Sequence, residues 1–396
     1  MITAESLGDR LAALGDVGIG ADGVHRLAWT EEDASTRTWF ERQAAGAGLR
    51  VTRDPAGNLW ACPEAQEPWW GIGSHLDSVR GGGRFDGPLG VACGFAIAAR
   101  APRPVAVLSF ADEEGARFNT PTFGSKALSG RLDLPGVLDR PDDVGVRLGD
   151  AMRAAGVDPD RIGEAPLWLG KLTGFIEIHI DQTTELAGAA EPVGVVSSLA
   201  SRTRLQVHLR GRADHAGTTP RSERRDALSA AARLIVAAED LAGEHPSLTV
   251  TTSRIIASPN APTTIAADVR MWIDARAPSF TAIDSWRSGL DEMVGELEAR
   301  SRVEIEVSVA SRSDAREFSP ELRRKLIRAT EEVLGRAAPE LVCFAGHDAG
   351  VLAERLPAAM MLVRNPTGIS HSPAETVDLE DATIAARVVV RALENA

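Results

Sequence analysis

The run WWGIGSHLDSVRGGGRFDGPLG, residues 69–90, opens with a short apolar segment, Trp69 to Ser74, that gives way to polar, glycine-rich sequence at His75. An apolar run this short, closed by a polar loop, reads as a buried strand in a sheet covered on both faces. Val105 to Ala111 and Ala359 to Val363 read the same way, and helical stretches separate the three. Between Thr30 and Gly48, for example, Phe40, Ala44 and Ala47 fall at helical spacing behind a Thr30 cap, with Asp33 placed as a capping box. The alternation predicts an α/β fold, a mixed sheet flanked by helices, with ligands beyond the carboxyl ends of the strands. Polar motifs stand at those ends.

Texture changes from about Ser198 to Ser311. Arg204 to Arg210 alternates, Asp226 to Leu241 is rich in Ala and Leu, and Leu248 to Ile256 and Thr264 to Ile273 read as extended. Trp286 to Ala299 then has helical spacing and Val303 to Val309 alternates. The order β-α-β-β-α-β is that of a small ferredoxin-like α+β unit. Helix Pro320 to Gly335 and the Ala359 strand resume the first texture, so residues 198–312 are expected to be an insertion in a discontinuous domain of residues 1–197 and 313–396.

Charge and composition narrow the partners. A net charge of −13 disfavours nucleic acid and anionic membranes, which bind basic faces. No segment approaches the roughly 18 apolar residues of a membrane helix. The first residues, MITAESLGDRLAALG, lack a basic start and an apolar core, so a cytoplasmic protein is expected. Cys62, Cys93 and Cys343 are odd in number and far apart, which fits neither a disulfide framework nor a cysteine zinc site. With no tyrosine present, acid, base and ligand roles fall to Asp, Glu and His.

Four segments carry such residues. His75 ends a strand, with Asp77 two residues on to orient the ring and Asp86 in the following glycine-rich loop. FADEEGARF, residues 110–118, ends a buried strand in Asp112, Glu113 and Glu114, adjacent charges that need a cation or solvent to compensate them. FIEIHIDQ, residues 175–182, alternates so that Glu177 and His179 face away from the Ile row. RNPTGISHSPAE, residues 364–375, places His371 in a loop after the last buried strand. Taken singly, each segment has an ordinary reading as a turn, a solvated acidic run or a polar strand face. Together they supply three histidines, an aspartate and a glutamate around one inferred sheet, a donor set without thiolate that suits zinc, manganese, cobalt or nickel, in a two-metal arrangement.

Those segments, with DHAGTTPRSERRDAL at residues 214–228 and AGHDAG at residues 345–350, make the chain resemble the N-carbamoyl-L-amino-acid hydrolase and allantoate amidohydrolase branch of the metal-dependent aminoacylase and carboxypeptidase superfamily. The resemblance implies two divalent ions bridged by Asp86, with His75 and His179 at one and Glu114 and His371 at the other. It implies Glu113 as general acid and base for attack by a metal-held hydroxide, and Asp77 as the residue orienting His75. It implies His215 as a stabiliser of the oxyanion, and Gln182, Arg204 and Arg276 as contacts to a small anionic ureido or amide substrate. It further implies a homodimer, with the inserted unit as lid and dimerisation domain. The third ligand, His179, stands where peptidase relatives use an acid. The chain departs from the pattern at PNAPTTIAAD, residues 259–268, where Thr263 replaces an asparagine, and at Arg364 and Asn365, in a loop expected to help set specificity. N-formyl or N-acyl amino acid hydrolysis, dipeptidase activity and a non-catalytic dimeric binding protein are the alternatives.

Overall fold

A computed structural model describes residues 2–394. They divide into two compact units, one built from the chain up to Ser197 with Glu317–Leu341 and the chain from Ala345 onward, the other from Ser198–Arg316 with Val342–Phe344.

The first unit is organised on a nine-stranded mixed sheet. Its four central neighbours, Ala358–Val363, Leu172–Ile180, Trp69–His75 and Val105–Phe110, are parallel. Shorter strands flank them antiparallel, Val193–Leu199 on one side and Leu59–Cys62 then Arg50–Arg53 on the other. The three strands expected from apolar runs are therefore all central, which is why those sequences are apolar on both faces. Helix Pro88–Ala98, buried from Pro88 to Ile97, crosses the sheet. It comes close because residue 90 is glycine: a Cβ there would lie 2.2 Å from the Ile178 carbonyl oxygen. Helix Leu379–Glu394 adds Ala382, Ala385, Ala386, Val388 and Val389 to the same core.

Helix Glu31–Gly46 starts as its sequence predicts, with the Thr30 side chain accepting from the Asp33 N–H. The reciprocal arm of the box shifts by one residue, because the Asp33 carboxylate accepts from the N–H of Trp29 at 2.9 Å rather than from the cap itself. Register decides what the sheet presents. His75 pairs with Phe110, Gly73 with Glu177, and Leu362 with His179, so four polar loops leave the sheet at one end.

In the second unit four antiparallel strands run in the order Thr249–Ser258, Asp268–Ala277, Ser201–Arg210, Glu304–Ser313. Helices Ala227–Gly243 and Phe280–Ser301 cover one face, burying Leu205, Val207, Leu209, Met271, Ile273 and Trp286. The third strand begins later than its sequence suggests, at Asp268. Residues before it are taken up by backbone pairing to the His215 turn, through Ala216 N–H to Thr263 O and Ile265 N–H to Asp214 O.

Candidate metal centre

Asp86 is the hub. Its Oδ1 lies 3.0 Å from His179 Nε2 and 3.5 Å from His75 Nε2, and its Oδ2 lies 3.4 Å from His371 Nε2. His371 Nε2 is in turn 3.5 Å from Glu114 Oε2. Two donor groups result, His75–Asp86–His179 and Asp86–Glu114–His371, sharing one carboxylate. Donors about 2.1 Å from a four-coordinate ion stand roughly 3.4 Å apart by tetrahedral geometry, so the observed spacings are those of ligands to a common centre. His179 Nε2 and Glu114 Oε1 are buried without a hydrogen-bond partner, although Asp86 is adjacent to the first. Orphaned donors in a buried site are expensive unless something else binds them. The residues present fit a divalent cation at each group.

The rings are set for that task. His75 Nδ1 lies 3.1 Å from the Asp77 carbonyl oxygen and His179 Nδ1 lies 3.0 Å from that of Ile180. A carbonyl can only accept, so each ring carries a proton on Nδ1 and turns Nε2 toward Asp86, the nitrogen a cation would bind in place of a second proton. Asp77 therefore orients His75 mainly through its backbone. Its carboxylate, 3.6 Å from the ring, instead accepts from the N–H groups of Glu113 and Glu114 at 3.2 and 3.1 Å. Gly87, at φ +81°, lets the loop turn against the ring, since a Cβ there would be 2.6 Å from His75 Nδ1.

Electrostatics tell the same story. Burial opposes a charge on His75, but Asp77, Asp86 and Glu113 outweigh it and hold its pKa well above the usual imidazole value. Burial also pushes Asp86 up, and His179, His371 and His75 override it to hold it well below the carboxylate range. His371 is raised to about 9 by its contact with Asp86, and Glu114 to about 7 by burial and Asp86. Glu113 is raised well above its ordinary value, by burial first and then, against the pull of His75, by Asp348, Glu114 and Asp77. Protons are doing in this cage what a cation would do.

Glu113 belongs to neither donor group, yet its Oε2 is 3.8 Å from His75 Nε2. Gln182 Nε2 donates to Asp86 Oδ2 at 2.9 Å and to Ser370 Oγ at 3.2 Å. The remaining expected residues lie in the second unit. His215 Nδ1 accepts from the N–H groups of Gly217 and Thr218, each at 3.1 Å, which puts the neutral ring's proton on an exposed Nε2. Thr263 stands in a turn, and its carbonyl accepts from the Ala216 N–H beside His215. Arg204 and Arg276 flank one carboxylate, Asp274, at 2.7 and 2.6 Å, and Arg276 also donates to the Phe344 carbonyl. One carboxylate for two guanidinium groups leaves a net positive charge.

Several residues went unassigned in the sequence. His347 packs its ring 4.3 Å from that of His179, and Glu177, His179 and His347 form a third donor group. Burial and the His179 charge hold the His347 pKa well below normal. Glu177 accepts from Ser74 Oγ at 2.7 Å and from the Ala349 N–H at 2.8 Å, and so fixes the start of the segment His347 precedes. Glu375 Oε1 accepts from the N–H groups of Phe85 and Asp86, which holds the hub's backbone. The buried Arg26 donates from Nε to Leu76 O, and burial lowers its pKa to about 10 although Asp77, Glu375 and Asp86 favour its charge. AGHDAG was a visible signal for His347. The others act across 50 to 290 positions of chain and leave no local pattern. Arg364 and Asn365, expected at a specificity loop, have internal partners: Arg364 pairs with Asp381 at 2.8 Å, and the fully buried Asn365 bonds Ile369 O and Thr367.

Comparison with known proteins agrees with this geometry. The family model described as peptidase family M20/M25/M40 matches residues 71–395. An N-carbamoyl-L-amino acid amidohydrolase of Geobacillus stearothermophilus is 34% identical, over 98% of this chain and 97% of its own length. An allantoate amidohydrolase of Bacillus subtilis is 28% identical, covering 97% of this chain and 95% of its own. Among solved structures, a hydantoinase/carbamoylase family amidase from Burkholderia ambifaria superposes with a TM-score of 0.83 at 31% identity, covering 100% of this chain and 97% of that one.

Proposed function

The chain belongs to peptidase family M20/M25/M40, a metal-dependent family, and within it we propose that this hydrolase of non-peptide C–N bonds acts on a small N-carbamoyl or ureido acid. The observation that carries the reading is the cage converging on Asp86 with Glu113 beside it and outside both donor groups. Two divalent ions, of zinc, manganese, cobalt or nickel, suit the imidazole and carboxylate donors. When bound, they polarise the scissile carbonyl and acidify water.

The protein's own residues do the rest. Glu113 takes the proton from the attacking water and passes it to the leaving nitrogen, two transfers that one carboxylate can serve. Asp77 fixes the backbone of Glu113 and Glu114 and so sets the reach of the base. His215, with its proton on Nε2, is assigned to the developing oxyanion. Arg204 and Arg276 are assigned to the substrate carboxylate and Gln182 to the ureido group, with planar guanidinium forks matching a carboxylate. Thr263 offers a single hydroxyl where the pattern has an amide, which favours N-formyl or N-acyl acids as a second substrate class.

The inserted unit, with its two central strands bordered by the second and fourth in chain order, supports the reading as a ferredoxin-like lid and dimerisation domain. Its edge strand Thr249–Ser258 exposes Ile255 and Ile256, an apolar edge of the kind a second copy covers in a homodimer. Buried cysteines outside any disulfide among the described residues, Cys62 and Cys93, fit the reducing cytoplasm, and no described helix is long and apolar enough to cross a membrane.

Metal-reconstituted protein assayed against allantoate, N-carbamoyl, N-formyl and N-acetyl amino acids tests the assignment, with ammonia and primary amine read separately. Release of ammonia from a ureido substrate is expected. Turnover of N-acetyl amino acids alone would replace this reading with an aminoacylase.

A further inference from the structure

A second charged feature lies wholly within the second unit. A surface groove of about 690 Å³ is lined by Arg221, Arg224, Arg233, Arg300 and Arg302, with Asp226 as its one carboxylate. Such a concentration is at odds with a chain carrying 56 acidic residues against 43 basic ones. Several other surface arginines are neutralised: Arg161 by Glu164, Arg210 by Glu304 and Glu306, Arg287 by Asp291, Arg312 by Asp284.

In the groove they are not. Arg224 donates only to backbone carbonyls, those of Thr219 and Ala216. Arg302 donates to the carbonyls of Ser222 and Arg224. Those contacts fix two guanidinium groups in place and leave their charge uncompensated. The side chains of Arg221, Arg233 and Arg300 make no hydrogen bond or ion pair among the described residues. Asp226 is already engaged, its Oδ1 accepting from the N–H groups of Leu228 and Ser229 at the start of helix Ala227–Gly243. That cap occupies the helix end, so the guanidinium groups carry the attraction.

Arg302 is also conformationally unexpected. It ends helix Phe280–Ser301 at φ +59°, the left-handed position where glycine is favoured and where Gly335 stands at the end of helix Pro320–Leu334. Retaining a side chain there strains the backbone, and what the side chain gains is its place in the groove.

We propose that this groove, whose lining shares no residue with the metal cage, is a binding site for a compact phosphate-bearing anion. Phosphate groups carry up to two charges each and accept bidentate bonds from arginine, which suits an excess of four positive charges better than a single carboxylate would. The volume falls in the range of small-ligand sites, roughly 300–1,000 Å³.

Pyrophosphate is the probe. Calorimetric titration of the metal-loaded protein at fixed ionic strength, with hydrogen–deuterium exchange on the same samples, reads both affinity and place. Saturable binding is expected, with protection at residues 221–233 and 300–302. The charge-reversal pair R233E/R300E should weaken that binding at least tenfold and leave basal turnover unchanged. Protection confined to the loops around His75, Asp86 and Glu114 would mean chelation at the cage and overturn the proposal. So would undiminished binding by R233E/R300E, or affinity that requires an oligonucleotide. If the variant changes the sedimenting mass while pyrophosphate binding persists, the arginines serve an interface between copies, and the proposal fails.

Discussion

Two buried carboxylate regions in the first unit solve one electrostatic problem in opposite ways. Asp54 lies out of water, and its own neighbourhood answers it: Oδ1 accepts from the N–H groups of Ala56 and Asn58, and Oδ2 from Asn58 Nδ2 and Trp60 Nε1. Burial still outweighs these donors and raises its pKa, to about 6. Around Asp86, by contrast, Glu113, Glu114 and Asp112 crowd together. Both Asp112 oxygens and Glu114 Oε1 find no partner, and the pKa values of all three acids are raised, by burial first and then by nearby carboxylates, Asp77 among them in each case. A carboxylate that the chain satisfies is architecture, whereas one it leaves unsatisfied among converging imidazole nitrogens is built for something from outside. The difference is visible in partners, not in burial.

The sharpest way to break the comparison is Glu113→Gln. The amide keeps the shape and leaves both donor groups intact, so the metal content, read by elemental analysis, should stay that of the parent. Turnover should fall about 10²–10⁴-fold, the range for loss of a general acid–base group. Lost metal with lost activity would place Glu113 among the ligands and remove the distinction drawn between it and Glu114.

Metal uptake tests the claim that protons stand in for cations. With His371 raised to about 9 and Glu114 to about 7, both groups hold protons at pH 7 that a divalent ion must displace. The His371 proton alone makes apparent affinity rise about 100-fold from pH 7 to above pH 9. Calorimetry at pH 7 in two buffers of different ionisation heat should show at least one proton released per loading. Release of none would mean the cage is already deprotonated.

Legibility in the sequence follows the same divide. The five proposed ligands could be picked out because each sits at the end of a buried strand or in the loop after it, where local pattern fixes both position and exposure. His179 is the clearest case: strict alternation through FIEIHIDQ places it and Glu177 opposite the Ile row, and the strand Leu172–Ile180 bears this out. The supports were not legible. Glu375 reaches the Asp86 N–H from 289 positions away, and Arg26 meets Leu76 across 50, so no window of sequence contains both partners. Short strands failed for another reason. Arg50–Arg53 and Leu59–Cys62 are four residues each, too brief for a period of two to stand out from a loop.

Asp54 supplies the converse test. Its pKa, raised above the ordinary 3.8, means the folded protein holds the proton more tightly than the unfolded chain. Its contribution to stability is therefore present in full below pH 4 and lost as pH rises through about 6. A shift of about two units is worth about 3 kcal/mol. Stability of the parent relative to Asp54→Asn, from denaturant titrations, should thus fall by about 3 kcal/mol between pH 4 and pH 8, and this should hold with or without metal. A flat difference would show that the internal donors cancel burial completely.

The smallest effect probes the loop before His371, where the sequence and the structure assign different work. Arg364 and Asn365 stand at positions expected to touch substrate, yet Asn365 is fully buried and spends its amide on Ile369 O and Thr367. Those bonds shape the turn that delivers His371, itself at φ +56°. Removing them acts on a proposed ligand through its support, for which a loss of about tenfold in metal affinity is in scale. Asn365→Ala should therefore weaken retention of metal by that factor while the ranking of substrates by kcat/KM stays as in the parent. Arg364→Ala, which breaks a partly exposed pair with Asp381, should do less, within about 1 kcal/mol of stability. A reordered substrate ranking at unchanged metal affinity would return this loop to specificity, and would show that a polar residue with all its bonds made inside the protein can still select what binds outside it.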